Sequence, residues 1–352
     1  FGNINTSLVE DMKYLFSECL NIQSIDISQF DTSKVTDMNF MLHNCSNLED
    51  INFGNINTSF VKNMGSLFYN CKKLTSINLS SFDTSQVTIM REMFYGCSSL
   101  ESINLSSFDT SKVTDMVGIF QTCRTLKSID LTNINTSSIK SMNYFFFECS
   151  NLTSIDLSNF DTSKVTDMVF TLGNCYKLTT INFGNINTSS LNNMDGLFAG
   201  CTSIQSIDIS KFDTSKVTFM HYTFGFCPKL KSINFANINT SLVINMALLF
   251  YRCNEIETID LSLFDTSKVL TFKWMFYGDY NLKYLNLSHF KTLNVNNILQ
   301  MFYNCISLVY LNLDLFQLGD SCNIDDVFAG VSPYVRYCIN DNKTKNMLEG
   351  NN

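Results

Sequence analysis

The sequence predicts an α/β repeat solenoid, with a parallel sheet on one face and short helices on the other. Three observations carry that expectation. Ten cysteines from Cys19 to Cys253 recur every 26 residues, and Cys305 rejoins the grid after Asp279 takes one place in it. Methionine keeps the same period from Met12 and Met38 through Met220 and Met246, and Phe272 and Ile298 continue the column with apolar residues. Thr6, Thr32, Thr58 and their successors recur without a break to Thr292. No insertion or deletion interrupts roughly 12 repeats, as in architectures where a unit buries its apolar side only against its neighbours. A weaker alternation of INTS segments (Asn5, Asn57) with FDTS segments (Asp31, Asp83) is the trace of two-repeat duplication.

The repeat running from Leu74 to Leu100 shows each element in turn. Leu74, Ile77 and Leu79 bracket a short extended run in which Ser76 and Asn78 point the other way, the mark of a strand with one buried face. Equivalent strands of successive repeats should pair in parallel at about 4.8 Å. Phe82 follows, in a column that holds only Phe and Ile. Asp83, Thr84 and Ser85 suit a turn, because their oxygens can accept nearby backbone N–H groups. Val87, Met90, Met93, Phe94 and Cys97 then recur at steps of three and four, the apolar stripe of a short helix. Gly96, or Asn44 and Asn70 in sister repeats, suits a left-handed residue near the end of that helix.

The string LTSIDLSNFDTSKVTDM from Leu152 to Met168, joined to the MFYGC pattern of Met93 to Cys97, resembles the BspA-like leucine-rich-repeat surface proteins. More narrowly, it is similar to the repeat of unknown function common in mycoplasmal, Gram-positive and protist surface proteins. The resemblance covers about residues 1–318. It implies a right-handed leucine-rich-repeat-type solenoid, extracellular display at a cell surface, and adhesion or partner binding. It brings no catalytic residues. The sequence departs from the pattern at Asp279, Lys291, Leu293 and beyond Leu318, so residues 319–352 are expected to form a C-terminal cap and tail.

Composition agrees with a packed, non-disordered chain. Of the 352 residues 45% are hydrophobic and 16% charged, and only two are proline. The net charge of −8 argues against a general nucleic-acid binder, which needs a dense basic face. No run of about 18 apolar residues marks a transmembrane segment in this portion. The chain begins within a repeat, at Phe1 and without Met, and reads as a piece of a longer polypeptide.

The cysteine column lacks the close pairs of a zinc site, and Cys305 has no neighbour on the grid. Buried free thiols are the preferred reading, with rung-to-rung disulfides or a metal as alternatives. Cys322 and Cys338 lie off the grid, and a disulfide between them would close the cap; two free thiols, or pairing to residues beyond Asn352, are the alternatives. His43, His221 and His289 occupy different phases of the repeat, so no Ser-His-acid pairing recurs and an enzyme is not expected. No cofactor or metal is implied.

Outward strand positions form two polar columns, one of Ser or Thr with Asp50 among them and one of Asn or Asp. They are a solvated face or a binding ladder. Near the C-terminal end Tyr284 and Tyr310 replace Ser, and with Asp260, Asn286 and Asn312 they form the candidate binding face. Tyr14, Phe40, Tyr144, Phe170, Tyr222 and Trp274 stand at outward positions of the expected helices. They are candidates for lateral contacts, or they tuck between helices. N-x-S/T sequons recur at Asn5, Asn57, Asn135, Asn187, Asn239 and Asn342, and the repeat itself explains their number. The expected function is a non-catalytic recognition or adhesion module, cell-surface or secreted, binding a protein or glycan. The alternative is a structural scaffold or spacer that makes lateral contacts with copies of itself.

Overall fold

A computed structural model describes residues 4–350 and divides the chain into two compact units, Phe1–Val165 with Thr171–Ile186 and Thr166–Phe170 with Asn187–Asn352. Each unit is a parallel β-solenoid whose turn is the 26-residue repeat. In the first unit β1 (Ser24–Asp26) pairs with β2 (Asp50–Asn52), and β3 (Ser154–Asp156) with β4 (Thr180–Asn182). In the second, β5 (Ser206–Asp208) pairs with β6 (Ser232–Asn234), and β7 (Tyr284–Asn286), β8 (Tyr310–Asn312) and β9 (Arg336–Cys338) form a three-stranded sheet. The alternation holds: Ile25 is buried between exposed Ser24 and Asp26, as is Ile155 between Ser154 and Asp156. Register is one repeat throughout, with Ile25 opposite Ile51 and Leu285 opposite Leu311.

The expected short helices are corrected by the structure. Among the described residues the one α-helix is α1 (Asn342–Glu349), outside the repeats. Where helices were expected, the chain runs through consecutive tight turns and a second parallel ladder that includes Asp37↔Asn63 and Asn63↔Ile89. Alternate N–H groups bond to the next repeat: Met90 to Asp115 O (2.8 Å), Glu92 to Val117 O (2.9 Å), Phe94 to Ile119 O (3.0 Å) and Gly96 to Gln121 O (2.8 Å). The N–H groups between them bond three residues back, Met93 to Met90 O (3.2 Å) and Tyr95 to Glu92 O (3.0 Å). Residues four apart, such as Glu92 (φ 54°) and Gly96 (φ 70°), sit in the left-handed region and reset the chain direction. An isolated helix of two turns is marginal. Turns that hand half of their donors to a neighbouring repeat gain a bond per residue without that cost. Steps of three and four place Met90, Phe94 and Cys97 inward in either geometry, which is why the stripe misleads.

The inward residues form files within each unit. Phe68, Phe94, Phe120 and Phe146 stack at 5.6 Å between successive rings, nearly parallel. In the second unit Phe198, Phe224, Phe250, Phe276 and Phe302 stack at 5.5–5.8 Å. From Cys45 onward the thiols of the file are buried and free, and they donate to carbonyls of the preceding repeat, for example Cys45 Sγ to Phe16 O and Cys149 Sγ to Phe120 O, both at 3.1 Å. Burial pushes Cys123 and Cys175 up to about 12, so thiolate is scarce and the file is chemically quiet. Cys149→Ala should therefore cost about 1–2 kcal/mol through a small void and a lost bond. Native Cys149 should resist thiol labelling until denaturant is added; rapid native labelling would contradict its burial.

The threonine file is explained by geometry that the sequence only hinted at. Thr110 Oγ1 donates to Asn135 O (3.0 Å) and accepts from Asn135 N–H (2.7 Å). Thr32 does the same with Asn57, and Thr214 with Asn239. One buried hydroxyl thus ties each repeat to the next twice, and no other small side chain with a methyl has both a donor and an acceptor.

Candidate recognition surface

The five residues of the candidate binding face fall on neighbouring repeats of the second unit. Tyr284 and Tyr310 are register partners on β7 and β8, and so are Asn286 and Asn312. The bridge Thr258↔Tyr284 places Asp260 on the preceding repeat. Tyr284 is 54% exposed and Tyr310 is half-buried. One oxygen of each polar member closes its own turn: Asp260 accepts from Ser262 N–H (2.9 Å), Asn286 from Ser288 (3.0 Å) and Asn312 from Asp314 (3.0 Å). The Ser262 N–H and hydroxyl hold the Asp260 carboxyl below the usual carboxylate range. The same Asx turn recurs at Asp26, Asn78 and Asp208, so the Asn/Asp column has a structural job in each repeat. The tyrosines have no such job.

Sequence reasoning missed Arg336. It stands opposite Tyr310 on β9, exposed, so Tyr284, Tyr310 and Arg336 lie in file on three adjacent strands. Beyond Leu318 the motif fades, and only the period, Tyr310 plus one repeat, pointed to it. Val309, 48% exposed, adds apolar surface beside the file, and Glu257 and Lys283 pair at 2.8 Å near its start.

The six outward aromatics all adopt left-handed backbone, φ 48–58°. Tyr14 is 57% exposed and stacks on Phe40 at 5.0 Å, and Tyr144 meets Phe147 edge-on at 5.7 Å. Phe170 and Tyr222 lie over glycines of their own unit: a Cβ on Gly196 would collide with the Phe170 ring, and one on Gly225 with the Tyr222 ring. Trp274 Nε1 donates to Gln300 Oε1 at 2.8 Å, and the Lys273 ammonium sits 4.0 Å from the centre of its ring. A tyrosine file, Tyr251, Tyr277 and Tyr303, runs alongside with ring spacings of 5.2 and 4.8 Å. That file was visible in the sequence at the 26-residue period.

Cys322 and Cys338 are both free thiols, so the expected cap disulfide is not formed here. Cys322 is buried beside its own turn, whereas Cys338 is exposed on β9 opposite Asn312. The end of the second unit is secured instead by α1. Its N-cap Asp341 accepts from Thr344 N–H, and Thr344 Oγ1 accepts from Leu318 N–H at 2.9 Å, taking over the role of the threonine file. No described helix is long and apolar enough to cross a membrane.

The family described as Mycoplasma protein of unknown function, DUF285, matches overlapping stretches at residues 1–102, 49–154, 72–181, 142–234, 173–256 and 225–337. No curated protein matches the chain. A leucine-rich repeat protein from Eubacterium ventriosum ATCC 27560 is similar in structure over 92% of this chain and 80% of its own, with 18% identity and a TM-score of 0.50. A leucine-rich repeat protein from Bacteroides ovatus ATCC 8483 aligns over 94% and 87% at 18% identity and TM-score 0.42. A leucine-rich cell surface protein from Faecalibacterium prausnitzii A2-165 aligns over 93% and 82% at 16% identity and TM-score 0.47. The first of these likenesses gives the fold, that of leucine-rich-repeat proteins, and at such identities nothing beyond it.

Proposed function

The chain belongs to the DUF285 family of BspA-like leucine-rich repeats, and from that premise we propose a non-catalytic recognition or adhesion module, secreted or displayed at a cell surface, for a protein or glycan partner. The observation that carries this reading is the file Tyr284, Tyr310 and Arg336 on three adjacent strands. Tyrosine and arginine dominate binding hot spots because they combine large contact area with polar tips. In the preceding repeats of the same unit the equivalent positions are Ser or Thr: Ser206, Ser232 and Thr258. Solenoids supply the long rigid scaffold such a patch requires.

The test is a Tyr284→Ser, Tyr310→Ser double variant, which restores the residue type of the other repeats. On an array of extracellular proteins and glycans the native chain should bind a feature, and the double variant should bind it at least about tenfold more weakly. Undiminished binding by the double variant, or an array with no bound feature, would count against the strand face. The second reading, a scaffold with lateral contacts, draws on Tyr14 as the most exposed of the six turn-face aromatics. Light scattering after size exclusion decides it: a lasting monomer at high concentration argues against assembly.

A further inference from the structure

An open cleft of about 550 Å³ lies on the turn face of the second unit, away from the strands. Its walls include His221, Tyr222, Tyr251, Trp274, Tyr277 and Gln300. We propose that this cleft binds a neutral oligosaccharide, with Trp274 and Tyr222 as its stacking platforms. The assignment rests on the recognition reading but uses a different face and different residues.

Four features favour that ligand class. The cleft is built around the single tryptophan of the chain, and the indole is fixed rather than merely exposed. Gln300 accepts from Trp274 Nε1 and donates its own amide to Asp326 at 3.0 Å, a hydrogen-bonded relay across three repeats. Lys273 lies on the indole, and Tyr277 meets it edge-on at 6.4 Å. Nothing in the stacking demands a tryptophan there, since the same column holds Gly196, Leu248 and Gln300 in other repeats of the unit. A rigid, pre-oriented aromatic plane beside neutral hydrogen-bonding groups matches the two faces of a pyranose, apolar C–H above and hydroxyls around the rim.

Charge is the second feature. No carboxylate, lysine or arginine is among the wall residues, and the two cations nearby, Lys273 on the indole and Arg252 on the Tyr251 and Tyr277 rings, are taken up by cation–π contacts. Burial lowers the His221 pKa, so the imidazole stays neutral near pH 7. The polar groups that remain are an imidazole, an amide and phenol hydroxyls, all able to donate or accept without selecting a charged ligand.

The third feature excludes a peptide added as an extra strand. Such a peptide docks through backbone N–H and C=O groups left open on the receptor, whereas a proline-rich peptide lies on aromatic rings and is distinguished by the test below. Here the N–H groups of the cleft wall are already committed to the ladder: Tyr222 to Ala247 O, Leu248 to Lys273 O, Trp274 to Leu299 O and Gln300 to Asp325 O. The fourth is size. The volume holds about three pyranose rings at roughly 150–200 Å³ each, within the range of small-molecule sites.

The lone tryptophan makes the test direct. Intrinsic fluorescence of the full chain is titrated with maltohexaose, cellohexaose, laminarihexaose, xylohexaose and chitohexaose, each up to about 10 mM, the weak end of specific affinity. At least one should give a saturable change in intensity or wavelength. Tyr222→Ala should abolish it, and Gln300→Leu, which unhooks the indole at the surface without opening the core, should weaken it at least tenfold while the circular dichroism spectrum is unchanged. No saturable change with any hexaose overturns the proposal. So does a change that both variants retain, or one elicited by a proline decapeptide and by none of the sugars. Because the strand-face variant Tyr284→Ser, Tyr310→Ser leaves the cleft intact, failure of one site does not entail failure of the other.

Discussion

Thr110→Val should destabilise the first unit by roughly 2–4 kcal/mol, because it strands the N–H and C=O of Asn135 that the Thr110 hydroxyl satisfies at 2.7 and 3.0 Å. Valine keeps the volume and the branched shape, so packing is not the variable. Thr110→Ser is the control: it retains both hydrogen bonds and loses one methyl, at a cost of about 1 kcal/mol. Urea unfolding of the two variants should rank serine well above valine. Amide exchange at Asn135 should accelerate in the valine variant alone. Equal stability of the two would mean that the hydroxyl file is incidental to the stack.

Asp279→Cys should raise stability at neutral pH by roughly 1–3 kcal/mol, the usual cost of a poorly compensated buried polar group. Asp279 is 1% exposed in the thiol file, where its carboxyl accepts the Cys253 N–H at 2.7 Å. Burial drives its pKa well above the ordinary carboxylate value, and that single backbone donor offsets only part of the effect. The carboxyl is therefore better tolerated protonated. A raised carboxyl pKa gives a contribution fully present below the unfolded-state value of about 4 and lost as pH rises toward the folded-state value. The native second unit should accordingly weaken as pH climbs from 4, and the cysteine variant should weaken less. Asp195, raised by burial to about 6, supplies a residual slope that ends near that pH in both proteins. Parallel pH–stability curves for the two proteins would show that Asp279 carries no such burden.

Much of the fold is legible in the sequence because a fixed period converts each inward residue into a column. Cys71, Cys97 and Cys123, or Phe68 and Phe94, need only be counted for their burial to be inferred, and all five are buried. The short helices fail for a specific reason. Val87, Met90, Phe94 and Cys97 are spaced as a helix stripe, but the same spacing serves turns that bond across repeats. The distinguishing signal is left-handed backbone, and residues such as Gly96 and Asn70 show it mainly at the second site of each repeat. At the first site Tyr14, Phe40, Glu92 and Trp274 adopt it without being glycine, and the glycines that announce it there, Gly118 and Gly196, are too few to stand out. Non-glycine residues there cost energy, which the neighbouring ladder bonds offset.

The candidate sites were legible to different degrees. Tyr284 and Tyr310 stand out because they bring aromatics into a column of Ser, Thr and one Asp, Asp50. Arg336 does not, because the motif around it has faded. The cleft at Trp274 was half visible: Tyr222 and Trp274 were marked as outward, but Tyr251 and Tyr277 belong to a parallel column that meets them only when the turns fold. Cys322 and Cys338 shared a segment and nothing else.

The claim beneath all of this is that equivalent residues of consecutive repeats lie side by side. Glu101 and Lys127, one repeat apart on the outer strand face and ion-paired at 2.8 Å, give it a direct measurement. A Glu101→Cys, Lys127→Cys chain should close an intramolecular disulfide on mild oxidation, since bridging requires Cα atoms within about 7 Å. A Thr75→Cys, Lys127→Cys chain, two repeats and about 10 Å apart, should not. Bridging in the second pair and not the first, or in neither, would contradict the stacked arrangement.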